Sequence, residues 1–312
     1  MTHSTERERT GSEPPEWAPP EFLPPVGPVV REDGSLHYSG ISYALPPGFR
    51  PLQLDLWVPA GGGRHPVVVW IHGGAWQFGD RRYLPPTLET DAVYDALLEA
   101  GIAVASIDYR LAGEAVFPAQ LQDAKSAVRY LRRHAAQLGL DVERFGVWGE
   151  SAGGHLAALL ALTAGRAEQE GDPVVGEPVD SVRAAVDWYG VSDLTTMPKL
   201  EVPPDVSLPP GTADPIEQLL GGTTPERARS ASPVTYVNAD APPFLLIHGT
   251  DDVPVPLEQS SLLHAALLAA GAQSELVTVE GAGHIFVGAP DIPALIARSV
   301  AFLTQHLREE NR

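Results

Sequence analysis

The sequence predicts an α/β protein with a mostly parallel central sheet, helices on both faces and a small insert or lid. Three observations predict it. Strand-like apolar runs recur along most of the 312 residues. Helical patterns lie between several of them. The inner runs, such as Val67 to Ile71, are near-continuously apolar, which fits burial on both sides of a parallel sheet.

The elements follow in order. Residues 1–35, centred on EPPEWAPPEFLPPVGP, are rich in Pro and Glu and read as a flexible arm ahead of a domain at 36–312. Strands are expected at LQLDLWV (52–58), PVVVWIHGG (66–74), IAVASIDYR (102–110), RFGVWGES (144–151), AAVDWYG (184–190), PFLLIHG (243–249) and ELVTVEG (275–281). PAQLQDAKSAVRYLRRHAAQLG places Leu121, Ala124, Val128, Leu131, Ala135 and Leu138 on one helical face. PLEQSSLLHAALLAAG has Pro256 near its start and Gly271 just past its end, the usual helix punctuation. ALIARSVAFLTQHL closes the chain as an amphipathic helix. Residues 192–238 are too long for an ordinary connection and are a candidate lid or insert.

Composition narrows the function classes. The formal net charge is -19. Such a chain repels phosphate backbones, so nucleic-acid partners are not expected. No window approaches 18 uninterrupted apolar residues, so no membrane span is expected. The first residues lack the apolar core of a signal peptide, which leads us to expect a cytoplasmic protein. The chain has no cysteine, which removes thiol chemistry and Cys-based zinc sites. It also lacks HExxH and a P-loop, so no metal or cofactor is expected.

The chemistry gathers at strand ends. Gly149-Glu150-Ser151-Ala152-Gly153 matches G-x-S-x-G at the point where a strand turns into a helix. That turn raises a serine hydroxyl above the carboxyl edge of a sheet, beside free N–H groups at a helix start. A serine alcohol needs a base, and the base needs an orienting carboxylate. Among ten histidines, His284 alone lies in a glycine loop after the last strand, in GAGH, and follows the acid candidates Asp251 and Asp252. Asp187 and Asp193, after the preceding strand, read as loop and capping carboxylates. His72, His155 and His248 read as structural hydrogen-bonders. His72-Gly73-Gly74-Ala75-Trp76 ends the second strand run and offers backbone N–H donors to an oxyanion, with Ala152 N–H as another. Trp76, Trp188, Tyr189 and Phe286 fall near strand ends and are candidate pocket walls.

HGGAW, DYRL, FPAQLQDAKSAVRYLR, GVWGESAGGHLAALLAL, DWYGVSDL and PPFLLIHGTDDVPVP…GAGH together resemble an α/β-hydrolase serine esterase, over about residues 40–305. The resembling branch holds the feruloyl- and acetylxylan-esterase-like enzymes and the hormone-sensitive-lipase-like carboxylesterases. The resemblance implies Ser151 as nucleophile, His284 as base and Asp252 as acid, the last from an H-G-x-x-D pattern starting at His248. It implies oxyanion donors at Gly73, Gly74 and Ala152. It implies hydrolysis of a small-molecule ester with short-to-medium acyl chains. HGGAW also resembles formamidases, so an amide hydrolase of the arylformamidase or peptidase type is the alternative. The peptidase form is disfavoured because no propeller domain precedes. A non-catalytic ligand-binding protein on the same fold is a remote alternative. The Pro-rich 195–215 segment and the N-terminal arm have no counterpart in the resemblance.

Overall fold

The computed structural model describes residues 27–166, 180–198 and 214–308. In chain order the elements are β1 (Val29–Val30), β2 (Leu36–Ala44), β3 (Leu52–Val58), β4 (His65–Ile71), α1 (Ala92–Glu99), β5 (Ala103–Ile107), α2 (Ala119–Arg133), α3 (Ala135–Leu138), β6 (Leu140–Glu150), α4 (Ala152–Leu162), β7 (Ala184–Trp188), α5 (Pro215–Leu220), α6 (Pro225–Ser230), β8 (Phe244–Gly249), α7 (Glu258–Ala269), β9 (Ser274–Val279) and α8 (Ile292–His306).

The strands form one nine-stranded sheet in the order β1-β2-β3-β5-β4-β6-β7-β8-β9. From β5 to β9 every neighbouring pair is parallel, whereas β1, β2 and β3 join antiparallel at one edge. Alternate residues feed two cores. Val67, Val69 and Ile71 pack with α2, α4 and α7 residues on one face. Val68 and Trp70 pack with α1 and α8 residues on the other. That is why β4 is apolar at successive positions. Trp70 and Trp148 are register partners across β4 and β6, and Trp148 meets Trp188 of β7 edge-on at 4.9 Å. Trp188 Nε1–H donates to Ser299 Oγ of α8 at 3.0 Å, so a tryptophan layer ties the central strands to the last helix.

The order of connections sets the site. From β4 the chain runs through α1 to β5 on one side, and from β6 it runs through α4 to β7 on the other. Loops leaving the carboxyl ends of β4 and β6 therefore diverge and leave a crevice between them.

The structure departs from the sequence reading in four places. The sheet begins at Val29–Val30, inside the segment expected as an arm, because these residues pair with Leu36 and His37 of β2. Strand β2 escaped notice. Its register shifts between Tyr38 and Ile41, where Gly40 takes φ +67° and its N–H donates to Asp55 Oδ1, and this breaks the alternation. Helix α1 was not anticipated. The long helix expected from residue 118 is divided at His134 into α2 and α3. Of the expected arm, residues 1–26 lie outside the described residues, as do 199–213 of the expected insert. The described part of the insert folds as α5 and α6, capped by Asp214 and Thr224 with Pro at the first turn of each.

Candidate active site

Ser151 sits between the last residue of β6 and the first of α4, with φ 54° and ψ −119°. A non-glycine residue there carries about 1–3 kcal/mol of strain and must be held by its surroundings. Its N–H donates to Trp188 O at 2.9 Å. The glycines around it are required by contact. A Cβ on Gly149 would lie 2.1 Å from Gly153 O, and one on Gly153 would lie 2.0 Å from Ile71 O. Strand and helix thus approach more closely than any side chain allows, and the turn between them pushes the serine outward.

Ser151 Oγ lies 3.0 Å from His284 Nε2, and His284 Nδ1 lies 2.7 Å from Asp252 Oδ2. With Nδ1–H donating to the carboxylate, Nε2 is left as the acceptor facing the serine hydroxyl. The loop that carries His284 is itself constrained. Ile285 and Phe286 both take positive φ, and Thr87 Oγ1–H donates to Ile285 O at 2.6 Å. The Asp252 side chain is fully buried, whereas that of Asp251 faces solvent and accepts a hydrogen bond from Thr250 Oγ1 at 3.1 Å. The two adjacent acids therefore diverge, and His284 meets Asp252. Burial pushes the Asp252 carboxyl up, but hydrogen bonding from His248 and His284, aided by Val255 N–H, outweighs it and holds the group below the usual carboxylate value.

On the other wall, Gly73 departs from expectation. Its N–H donates to the buried Glu150 Oε1 at 2.6 Å and is occupied within the protein. Gly73 cannot offer that N–H to an oxyanion. The next residues turn back. Gly74, Ala75 and Trp76 take φ +100°, 54° and 58° in succession, and Gly74 O accepts from Gln77 and Phe78 N–H. Gly74, Ala75 and Ala152 line the crevice beside Ser151, and among the described residues their N–H groups meet no protein acceptor. Ala75 was missed because the sequence reading looked to the glycines alone, while its left-handed backbone is set by the turn.

The cavity at Ser151 has a volume of 380 Å³, and Trp76, Tyr83, Val191, Met197, Ile216 and Ile285 give it an apolar lining. Of the expected pocket aromatics, Trp76 is there. Trp188, Tyr189 and Phe286 are not, and this corrects the reading. All three are buried beneath the site in the second core. Tyr189 packs edge-on against His284 at 5.0 Å and against Phe286 at 4.7 Å, so they support the imidazole loop from below. His72, His155 and His248 are taken up by hydrogen bonds within the protein. His72 Nδ1–H donates to Gly73 O at 2.7 Å while the ring stacks on Tyr109 at 4.3 Å. His155 accepts from Trp76 Nε1–H at 3.1 Å and donates from Nε2 to Ala231 O at 2.7 Å. Burial pushes both imidazoles down to about 4, so they stay neutral. His248 lies between Val255 O and Ser260 Oγ, with Nε2 also 3.4 Å from Asp252. Asp193 accepts from Thr195 N–H, and Asp187 accepts from Gly190 N–H. Among the described residues no group of three or more His, Asp or Glu side chains is placed to hold a metal ion, and no helix is long and apolar enough to cross a membrane.

The chain is 34% identical over 286 residues to Esterase LipC of Mycobacterium tuberculosis, covering 87% of this chain and 65% of LipC. It spans less than two thirds of the length of the first curated relatives it matches. Among solved structures it resembles a truncated carbohydrate esterase from gut microbiota, with a TM-score of 0.73, 29% identity, and coverage of 91% of this chain and 100% of that one. It also resembles Thermogutta terrifontis esterase 2 phosphorylated by paraoxon, with a TM-score of 0.67, 27% identity, and coverage of 94% and 98%. The BD-FAE family profile matches residues 54–267. The chain therefore belongs to the BD-FAE family, whose fold is that of the α/β-hydrolase esterases.

Proposed function

We propose that the protein is a serine carboxylesterase that hydrolyses small esters of short-to-medium acyl chains through an acyl-enzyme. The observation that carries this reading is the unbroken relay from Ser151 through His284 to Asp252, at 3.0 and 2.7 Å, at the wall of an apolar cavity. In the first half-reaction His284 Nε2 takes the Ser151 proton as Oγ attacks the ester carbonyl carbon. The oxyanion that forms is received by the N–H groups of Gly74, Ala75 and Ala152, near the positive end of α4. The tetrahedral adduct collapses, the C–O bond to the alcohol breaks, and the alcohol leaves with the proton from His284. Water then attacks the acyl carbon, giving its proton to the same nitrogen, and Ser151 is released with the carboxylic acid. Asp252 keeps the imidazole in the productive tautomer and stabilises the imidazolium.

The relatives' names support an ester over an amide substrate. A finite apolar cavity favours acyl chains of about eight carbons or fewer. The test is a series of p-nitrophenyl esters of rising acyl length with the native protein and Ser151→Ala. Native turnover is expected to fall beyond about eight carbons, and Ser151→Ala to lose roughly 10⁴-fold or more in kcat while folding normally. Paraoxon is expected to phosphorylate Ser151 in the native protein. A folded Ser151→Ala variant with native turnover overturns the reading.

A further inference from the structure

Glu150 is the residue before the proposed nucleophile, is 1% exposed, and has no part in the relay. It ends β6, where it is paired in register with Trp188 of β7, so its backbone is fixed inside the sheet. Its side chain meets the loop after β4, where it accepts Gly73 N–H at 2.6 Å. The fit leaves no slack, since a Cβ on Gly73 would lie 2.1 Å from Glu150 Oε1. Just past this contact the backbone makes three consecutive residues of positive φ, Gly74 to Trp76. Backbone of that kind persists only where several contacts hold it. Tyr109 O–H holds the carbonyl side, 3.1 Å from His72 O and 3.3 Å from Gly73 O. Glu150 holds the amide side.

We propose that Glu150 is a positioning residue for the oxyanion-binding loop: by taking Gly73 N–H inward, its carboxyl oxygen turns the following N–H groups of Gly74 and Ala75 outward toward Ser151. The proposal rests on the esterase reading above. One oxygen acceptor at the right depth is what the loop needs, and the group need not be charged to supply it. Burial pushes this carboxyl up to about 7, with smaller opposing contributions from His284, Gly73 N–H and Tyr189. The hydroxyls of Tyr83 and Tyr109 are the other titratable groups that feel it. Near neutral pH it is thus ionised in part of the molecules and protonated in the rest, and both forms present the acceptor.

Two substitutions separate acceptor from charge and volume. Glu150→Gln keeps the oxygen and loses the charge. Glu150→Leu keeps most of the volume and loses both. Kinetics on a soluble p-nitrophenyl ester are expected to leave kcat of Glu150→Gln within about threefold of native. For Glu150→Leu kcat is expected to fall about tenfold or more with KM within about threefold, because misaligned donors are felt in the transition state. Thermal unfolding is expected to show Glu150→Leu as stable as Glu150→Gln, since an apolar side chain is easier to bury. Should Glu150→Leu not fold, Glu150→Ala takes its place with the same expected kinetic loss. Equal kcat in the Gln variant and the acceptor-less variant overturns the proposal, as does a loss that falls on KM alone. Paraoxon labelling of native Ser151 is read in parallel: its absence overturns the esterase reading itself, whereas labelling with equal variants overturns only the role of Glu150.

Discussion

The ends of β7 and β8 each present a buried aspartate at the same edge of the sheet, and the two carboxyls are driven in opposite directions. Asp187, in β7, accepts one hydrogen bond, from Gly190 N–H at 2.8 Å, and its Oδ2 is buried without a partner among the described residues. Burial pushes it up to about 7, and His248 and Gly190 N–H oppose this only in part. Asp252, just past β8, is buried as well, yet two imidazoles and Val255 N–H hold it below its ordinary value. Asp187 is the deeper of the two, but both side chains are withdrawn from solvent, and the donors widen the difference. A buried carboxyl with enough of them stays an anion and can orient an imidazole, whereas one without them becomes an acid near neutral pH.

Replacing the better-supplied aspartate tests the contrast most severely. Asp252→Asn is expected to lower kcat by about 10²–10⁴ with KM little changed, since an amide cannot hold the imidazole tautomer or stabilise the imidazolium. It is also expected to destabilise the fold at neutral pH. A carboxyl whose pKa is lowered in the folded state contributes stability above its unfolded value, about 4, and loses it as pH falls through the lower folded value. The deficit of Asp252→Asn should therefore shrink on acidification. Unchanged kcat in a folded Asp252→Asn variant would place the orienting carboxylate elsewhere.

The effect of Asp187→Asn is smaller and opposite in sign. Its carboxyl is raised in the folded state, so the unfolded chain ionises first as pH rises. The cost is absent below about pH 4, grows up to about pH 7 and stays constant above that. Asp187→Asn removes this cost while keeping an oxygen for Gly190 N–H. Its melting temperature is expected to exceed native at pH 8, by on the order of a few kcal/mol in stability, and to match native near pH 4. Thermal melts at the two pH values check it. A variant less stable than native at pH 8 would mean that Asp187 is ionised and paired in the folded protein.

The smallest effect is expected at the neighbour of the orienting acid. Asp251 is exposed, and its backbone contact, N–H to Ala282 O at 2.9 Å, survives substitution. Asp251→Asn is expected to cost less than about tenfold in kcat. Measured beside Asp252→Asn under the same conditions, the reverse ranking would shift the acid by one residue and leave the relay otherwise intact.

Much of this was legible in the sequence because it depends on local pattern. Apolar runs marked the seven strands from β3 to β9, since burial on both faces leaves few polar positions in the inner ones. Punctuation by Pro and Gly bounded α7. The strand–Ser151–helix junction was legible because the demand on Gly149 comes from Gly153 only four residues on. Strand β2 was not, because Gly40 and its bulge interrupt the period that betrays a strand.

The layered α/β fold, the serine at its turn and the histidine after the last strand follow from composition and period, which suffice to say what is buried and where the chain bends. Which groups face one another was settled by tertiary packing. It turned Gly73 N–H inward to Glu150 and left Gly74 and Ala75 to face the crevice. It buried Trp188, Tyr189 and Phe286 beneath His284, because residues just past strand ends point down into the core as readily as up into a pocket. It also separated Asp252 from Asp187, since a carboxyl's charge is set by donors from β8, the His284 loop and the turn at Val255, which meet only when the chain has folded.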